Sequence, residues 1–151
     1  MSRTDSAARE VRAAPEQVYA ALLDPEALVE WLPPDGMTGR FEYFDGRVGG
    51  IYRLVLTYDH AGSGKTTADA DVVDARFTEL VPNRRVGQAV DFVSEDPEFT
   101  GTMTMTWDLT ATGGGTLVEI TAVDVPSGIT AEDHAAGLAS SLANLAAFLE
   151  G

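Results

Sequence analysis

The chain of 151 residues contains no cysteine. Disulfide bonds, thiolate-bound metals and a cysteine nucleophile are therefore excluded. Histidine is nearly absent as well: His60 and His134 are the only two, and their wide separation does not match the spacing of metal ligands. From these residue types we expect neither a metal site nor a cofactor.

Basic residues are also scarce, because 10 lysines and arginines stand against 24 aspartates and glutamates, for a formal net charge of −14. An acidic surface repels phosphate backbones and anionic lipid head groups, so a nucleic acid partner is not expected. No apolar run approaches the roughly 20 residues that span a bilayer. The first residues show no basic region followed by an apolar stretch, as a secretory signal would. We therefore expect a cytoplasmic protein that does not insert into membranes.

The middle of the chain is divided by clusters of turn-forming residues. Hydrophobic residues make up 44% and charged residues 23% of the sequence, which is typical of one globular domain, here residues 1–151. Between residues 39 and 124, glycine-, proline- and asparagine-containing turns separate runs that alternate apolar and polar side chains. This pattern predicts about six antiparallel strands, and residues 6–12 predict one more before them.

Helical signals flank the predicted strands. Pro15 suits the first position of a short helix, and Asp24 can cap a second one that Pro25 opens and that ends at Trp31. Residues 130–149 predict a long amphipathic helix that begins with a capping box. Its apolar stripe consists of Leu138, Leu142, Leu145 and Leu149. A sheet with one apolar face must cover that face, so we predict an α+β fold with this helix across the sheet.

The alternation also predicts which side chains face the space between sheet and helix. On one strand these are Tyr52, Leu54, Leu56 and Tyr58, and on another Met103, Met105 and Trp107. Gln88 and Phe92 share the inner face of a third strand, and Leu138 and Leu142 face it from the helix. Adaptable methionines, a broad tryptophan and a few polar groups are typical of a ligand pocket. The alternatives are plain core packing and, for the polar groups, bonds to the backbone at the sheet rim.

Two glycine-containing motifs have simpler readings than a functional site. Residues 62–67 (Gly-Ser-Gly-Lys-Thr-Thr) resemble the end of a phosphate-binding loop, but Asp59 stands where the motif requires glycine, and a strand follows instead of a helix. A hairpin turn without nucleotide binding is predicted. The pair Gly49-Gly50 predicts a bulge or bend that lets the sheet curl around the helix.

No catalytic constellation is visible in the sequence. Ser140 and Ser141 lie on the predicted helix without a histidine at a recognisable spacing, so a nucleophilic triad is not expected. Most of the acidic residues fall on predicted solvent-exposed faces or turns, among them Asp45, Asp69, Asp71, Glu95, Asp96 and Glu98. Asp91 and Glu119 alternate out of phase with their apolar neighbours. Whether the protein is an enzyme is left open, and non-enzymatic binding is favoured.

Several short motifs follow one another in a characteristic order. They are Ala-Pro-Glu-Gln-Val-Tyr at 14–19, Asp-Pro at 24–25, Trp31 with the prolines at 33–34, Arg-Val-Gly-Gly at 47–50 and Glu-Leu-Val-Pro-Asn-Arg-Arg at 79–85. Over nearly the whole chain, their order resembles the helix-grip fold of the START-like (SRPBCC) superfamily. Within it, the sequence is most similar to the heat-shock protein 90 ATPase activator homologue family. Gly137-Leu138 stands where that family often has Gly-Trp, so this tryptophan is absent here.

The resemblance implies a curved sheet of about seven strands that grips the C-terminal helix, with an apolar cavity between them. It also implies that Trp31 lines this cavity. The expected function is binding of a small hydrophobic or amphipathic molecule, which includes lipids. The alternatives are a co-chaperone-type interaction in the stress response and a cyclase- or hydrolase-type enzyme in the same cavity. A monomer and a homodimer are both left open.

Overall fold

The computed structural model describes residues 3–34, 36–59 and 70–150. One antiparallel sheet of seven strands and three α-helices make up the described fold, together with a short 3-10 helix, Pro97–Phe99. The strands are β1 (Thr4–Val11), β2 (Met37–Phe44), β3 (Ile51–Tyr58), β4 (Ala70–Val81), β5 (Arg85–Phe92), β6 (Thr102–Thr112) and β7 (Gly115–Val123). The helices are α1 (Pro15–Leu22), α2 (Pro25–Trp31) and α3 (Ala131–Glu150).

The sheet is a meander with one long-range addition. Its strand order is β1-β7-β6-β5-β4-β3-β2, and every neighbouring pair is antiparallel. Strands β2 to β7 pair in chain order, whereas β1 joins the far edge beside β7. The predicted α+β helix-grip fold is confirmed, with the first strand beginning two residues earlier than the sequence pattern indicated.

Local side-chain contacts explain why α1 and α2 begin where they do. Pro15 opens α1, and the Gln17 side chain accepts a hydrogen bond from the Ala14 amide at 2.9 Å. Pro25 opens α2, and the Asp24 carboxylate accepts one from the Glu26 amide at 3.0 Å. Both helices therefore satisfy a backbone donor that the helix itself leaves without a partner.

Helix α3 lies across the inner face of the sheet. The Thr130 hydroxyl accepts a hydrogen bond from the Asp133 amide at 3.0 Å, which caps the helix start as predicted. Leu138, Leu142 and Leu145 are buried, and Leu149 is half-buried. The far end of the helix is fixed by Glu150, whose carboxylate accepts a hydrogen bond from the Arg12 amide at 3.0 Å.

The glycine pair at 49–50 lies in the β2–β3 connection and not inside a strand. Gly49 has a φ of +81°, a backbone conformation that side-chain-bearing residues rarely adopt. A Cβ on Gly50 would lie 2.3 Å from the Asp45 carbonyl oxygen, so this position also requires glycine. The turn hydrogen-bonds with both backbone groups of Phe77, beside the irregularity that bends β4. The bend thus falls at Phe77–Glu79, and the glycines lie against it.

The outer face of the sheet is polar, as the alternation predicts. Arg53 and Asp74 pair across β3 and β4 with a 2.6 Å contact, and Arg85 and Asp108 pair across β5 and β6 at 2.7 Å. No α-helix in the described ranges is long and apolar enough to cross a membrane. The predicted turn at residues 62–67 lies outside the described residues and stays a prediction.

Candidate functional site

A cavity of about 720 Å³ lies between the inner face of the sheet and the N-terminal half of α3. Strands β3 to β7 form its floor, α3 and the α1–α2 segment form its sides, and the β5–β6 and β7–α3 connections reach its rim. This volume falls within the range of about 300–1,000 Å³ that small-molecule sites occupy. The space between sheet and helix is therefore large enough for a ligand.

The cavity wall contains ten of the twelve side chains that the sequence predicts to face it. These are Tyr52, Leu54, Leu56, Tyr58, Gln88, Phe92, Met103, Met105, Trp107 and Leu138. The period-two pattern brings them together because cross-strand partners share a face: Gln88 pairs with Met105, and Val90 with Met103. Their contact with a ligand remains a prediction.

Trp31 and Leu142 lie in the packed core next to the cavity and not in its wall. The Trp31 indole donates a hydrogen bond from Nε1 to the Ala21 carbonyl at 3.2 Å, which ties α2 to α1. Its ring packs edge-to-face against Trp107, with 5.6 Å between ring centroids. Trp31 therefore supports the wall residue Trp107 from behind.

A buried carboxylate in the wall corrects one prediction. Asp71 was expected on a solvent-exposed face, but it is only 1% exposed and lines the cavity. The Tyr58 hydroxyl donates a hydrogen bond to Asp71 Oδ2 at 2.8 Å. The signal was present in the sequence, since Asp71 alternates in phase with the buried residues Val73, Ala75 and Phe77. The prediction followed the charge of Asp71 and not its position in the alternation.

A second polar pair lies elsewhere in the wall. Gln88 Nε2 donates a hydrogen bond to the Tyr52 hydroxyl oxygen at 3.3 Å. Burial raises the pKa of Tyr52 to about 12, although the hydrogen bond from Gln88 opposes the rise. Tyr52 therefore stays protonated at physiological pH. Its ring stacks on Phe44 with 5.5 Å between centroids, which fixes the direction of the hydroxyl.

A third polar group reaches the cavity from α3, and the sequence reading missed it. His134 lines the cavity, and its Nδ1 lies 2.7 Å from Asp5 Oδ2. Arg3 also donates to Asp5 Oδ2, at 2.9 Å. Burial raises the pKa of Asp5, whereas the hydrogen bonds and charges of Arg3 and His134 lower it. Together they outweigh the effect of burial, so the pKa of Asp5 lies below the usual 3.8. The sequence did not predict Asp5 as an inward-facing residue. Its direction follows from its pairing with the buried Ala122 of β7.

Two polar contacts join α3 to the residues that follow α2. The Ser141 hydroxyl donates to the Leu32 carbonyl at 2.7 Å, and the Asn144 amide donates to the Pro33 carbonyl at 3.1 Å. Gly137 lines the cavity between these contacts and the helix start. A Cβ placed on it would meet only Pro34, at 4.0 Å. The space beside Gly137 is therefore open enough for a small added side chain.

The polar groups of the cavity are distributed around an apolar interior. Asp71 and His134 both line the wall, and the hydrogen bond that the structure shows for His134 runs to Asp5. Among residues 3–34, 36–59 and 70–150, no cluster of three or more histidines and carboxylates could hold a metal ion. The arrangement is that of a binding pocket with a few fixed hydrogen-bonding groups.

Comparison with known proteins agrees with this fold. Residues 12–150 match the family described as Activator of Hsp90 ATPase homolog 1-like protein. The chain therefore belongs to this family, which is part of the SRPBCC superfamily. A search of curated proteins finds no significant match.

Solved structures similar to this chain come from several bacteria. Protein CV1439 from Chromobacterium violaceum is 33% identical, with a TM-score of 0.87 over 98% of this chain and 97% of that one. Protein MLL2253 from Mesorhizobium loti is 23% identical, with a TM-score of 0.75 over 98% and 97% of the two chains. DynU16, from the dynemicin biosynthetic locus, is 20% identical, with a TM-score of 0.71 over 97% of this chain and 47% of that one. The last two likenesses show the fold alone.

Proposed function

We propose that this protein binds a small hydrophobic or amphipathic molecule, such as a lipid-like compound, in the cavity between the sheet and α3. The observation that carries the proposal is the cavity of about 720 Å³ between the sheet and α3, next to the hydrophobic core. Apolar side chains from strands β3 to β7 line it, and burying a ligand against them would be favoured by about 25 cal/mol per Å² of apolar surface.

The fixed polar groups give the pocket a means of orienting its ligand. Both hydrogen-bonded pairs line the cavity and each involves a tyrosine of β3. Tyr58 is bonded to Asp71 of β4, and Tyr52 is bonded to Gln88 of β5. Small-molecule sites typically combine a mostly apolar wall with a few such groups. The proposal extends to one binding domain over residues 1–151 that acts in the cytoplasm as a monomer or homodimer.

The test is a titration with N-phenyl-1-naphthylamine, a neutral apolar dye that fluoresces in apolar surroundings. We expect saturable binding to the wild type. Met105→Trp adds bulk to a half-buried wall position and should abolish it. Thr104→Trp places the same side chain one residue away on the exposed outer face and should bind the dye normally. Equal binding by both variants, or none by the wild type, would contradict the proposal.

The tryptophans supply an independent readout of the same site. Trp107 lines the cavity, whereas Trp31 lies behind it. A bound dye should quench intrinsic fluorescence in the wild type and in Trp31→Phe. In Trp107→Phe, the dye should quench much less of the remaining tryptophan fluorescence than it does in the wild type or in Trp31→Phe. Equal quenching in both variants would place the dye elsewhere.

A second candidate, an interaction with the chaperone Hsp90, rests on the family description and on one surface feature. Tyr43, Val48 and Ile51 are large apolar side chains exposed around the β2–β3 hairpin. Exposed apolar groups of this kind can mark a protein interface. The test is whether the purified protein stimulates Hsp90 ATPase activity and whether Ile51→Asp removes the effect. An unchanged ATPase rate would eliminate this candidate without affecting ligand binding.

A further inference from the structure

Tyr52 brings a hydroxyl group to the cavity wall from an almost completely buried position. The residue is 5% exposed and lines the cavity, and its hydroxyl oxygen is bonded to Gln88. Tyr52 belongs to β3 and Gln88 to β5, with β4 between them in the sheet. The residue of β4 opposite Tyr52 is Ala75, and its small side chain leaves room for the tyrosine to reach Gln88.

Three phenylalanine rings fix the direction of the Tyr52 side chain. The ring centroids of Phe41, Phe44 and Phe77 lie 5.4, 5.5 and 5.6 Å from its own. These three phenylalanines are not part of the cavity wall, whereas Gln88, which contacts the hydroxyl, is. The aromatic cluster therefore holds the ring from outside the cavity, and the hydroxyl end lies at the wall.

The hydrogen bond from Gln88 leaves Tyr52 able to donate one of its own. Gln88 Nε2 donates to the hydroxyl oxygen at 3.3 Å, and a phenolic oxygen that accepts a hydrogen bond still carries its proton. Burial raises the pKa of Tyr52 to about 12, so the proton is retained at physiological pH. Among residues 3–34, 36–59 and 70–150, the structure shows no acceptor for it. A buried donor without an acceptor costs free energy, so a ligand that brings one is favoured here.

A carbonyl group is the polar group that suits this part of the wall best. Its oxygen only accepts hydrogen bonds, so it leaves no donor of its own unpaired. It carries no charge, whereas an ionised head group would lose its hydration beside aromatic side chains at a much larger cost. A hydroxyl that accepts from another group also donates more strongly, because hydrogen bonds in a chain polarise one another. Gln88 therefore positions Tyr52 and strengthens it as a donor.

We propose that the ligand is a neutral apolar carbonyl compound, such as a ketone or an ester, and that the Tyr52 hydroxyl donates a hydrogen bond to its carbonyl oxygen. This inference rests on the proposed binding function and adds the chemical class of the ligand and the residue that orients it. The apolar part of the ligand lies against the wall residues Leu54, Met105 and Trp107.

The first experiment measures the carbonyl stretching frequency of 2-octanone bound to the wild type by infrared spectroscopy. The difference between spectra of isotopically labelled and unlabelled ketone separates the ligand band from the carbonyl bands of the protein. A hydrogen bond weakens the carbonyl double bond, so we expect the band of the bound ketone to lie below its position in hexane. A band at the hexane position would overturn the inference, and this measurement needs no variant.

A variant then assigns the hydrogen bond to one residue. Tyr52→Phe removes the hydroxyl and keeps the ring, and circular dichroism checks that it is folded. The ketone band should move towards its position in hexane, and 2-octanone should displace the neutral dye about fivefold less well than from the wild type. Each inhibition constant is calculated with the Kd of the same variant for the dye. An unchanged ketone band in folded Tyr52→Phe would refute the role of Tyr52.

Two controls separate the hydrogen bond from a general effect on the cavity. The compound 2-methyl-1-octene has the shape of the ketone with a CH₂ group in place of the carbonyl oxygen. It should displace the dye from Tyr52→Phe at least as well as from the wild type. Tyr19→Phe makes the same substitution on α1, outside the cavity wall, and should bind the ketone as the wild type does. An equal loss for ketone and alkene in Tyr52→Phe would contradict the proposed hydrogen bond.

The same measurements separate this inference from the binding function. If the dye binds and both compounds displace it, but the ketone band lies at the hexane position, the pocket binds apolar molecules and the carbonyl recognition is wrong. If the dye does not bind at all, the binding function fails and the inference fails with it.

Discussion

Asp5 joins β1 to α3 through the side chain of His134, and its pKa predicts a pH-dependent contribution to stability. The folded-state pKa lies below the usual 3.8, because Arg3 and His134 favour the ionised form. A lowered pKa stabilises the fold above the pKa of the unfolded chain. This stabilisation is lost as the pH falls through the folded value.

Asp5→Asn should therefore be less stable than the wild type at pH 7, and the difference should narrow below about pH 4. Urea denaturation at several pH values measures the free energy of unfolding for both proteins. A difference that stays constant down to pH 2 would show that the ionised carboxylate contributes nothing through these contacts.

Leu142 is almost completely buried on the side of α3 that faces the sheet, at 1% exposure. Leu142→Ala leaves a cavity in the packed core, so we expect a loss of about 2–5 kcal/mol in the free energy of unfolding. Ala143, the next residue, is exposed, and Ala143→Ser should cost well under about 1 kcal/mol. A loss near zero for Leu142→Ala would contradict the packing of α3 on the sheet.

Some side chains of the site could be placed from the sequence and others could not. The period-two pattern was sufficient for Met103, Met105 and Trp107, whose inward direction depends only on the strand they occupy. It was not sufficient for His134, because the direction of a helical side chain depends on how α3 is rotated against β1. Asp71 was misplaced because a charged residue is buried only where the fold supplies a partner such as Tyr58.

Position 137 of α3 affects both the stability of the helix and the size of the cavity. Gly137 lies within the helix, where glycine costs about 1 kcal/mol relative to alanine. An added Cβ would meet only Pro34 at 4.0 Å, which is ordinary contact distance. Gly137→Ala should therefore raise the free energy of unfolding by about 0.5–1 kcal/mol.

A larger side chain at this position should act on the cavity instead. Gly137→Leu should reduce dye binding while the protein remains folded, because residue 137 lines the wall. Circular dichroism and thermal melting check the fold, and the dye titration checks the site. If Gly137→Leu bound the dye as well as the wild type, the cavity beside α3 would not be the binding site.

The elements themselves were largely accessible from the sequence. Pro15, Asp24-Pro25 and Thr130 are local signals, and each helix begins where its signal stands. The glycine pair at 49–50 predicted a bulge or bend, but it lies in a turn, because a glycine indicates backbone freedom and not which feature uses it. Only the pairing of β4 with β5 reveals that the bend falls near Phe77.

For the protein as a whole, binding and stability should be linked. A ligand that binds only the folded state raises the free energy of unfolding by about 2.7 kcal/mol at 100 times its Kd. The neutral dye should therefore raise the melting temperature, and the increase should change little between low and high salt, since it carries no charge to screen. Thermal melts of the wild type and Met105→Trp at two salt concentrations test this. A large salt effect on the dye would indicate binding at the charged surface.

The pairing of β1 with β7 also determines when this protein can fold during its synthesis. β1 lies at one edge of the sheet and has β7 as its sheet neighbour, with Thr4 opposite Val123. The other pairings join strands adjacent in the chain and can form as hairpins in turn, whereas this one closes a loop of more than a hundred residues. A chain still on the ribosome therefore holds its first strand without a partner until the last strand emerges. Because α3 follows β7, the pocket is completed last, and no ligand can guide the earlier steps.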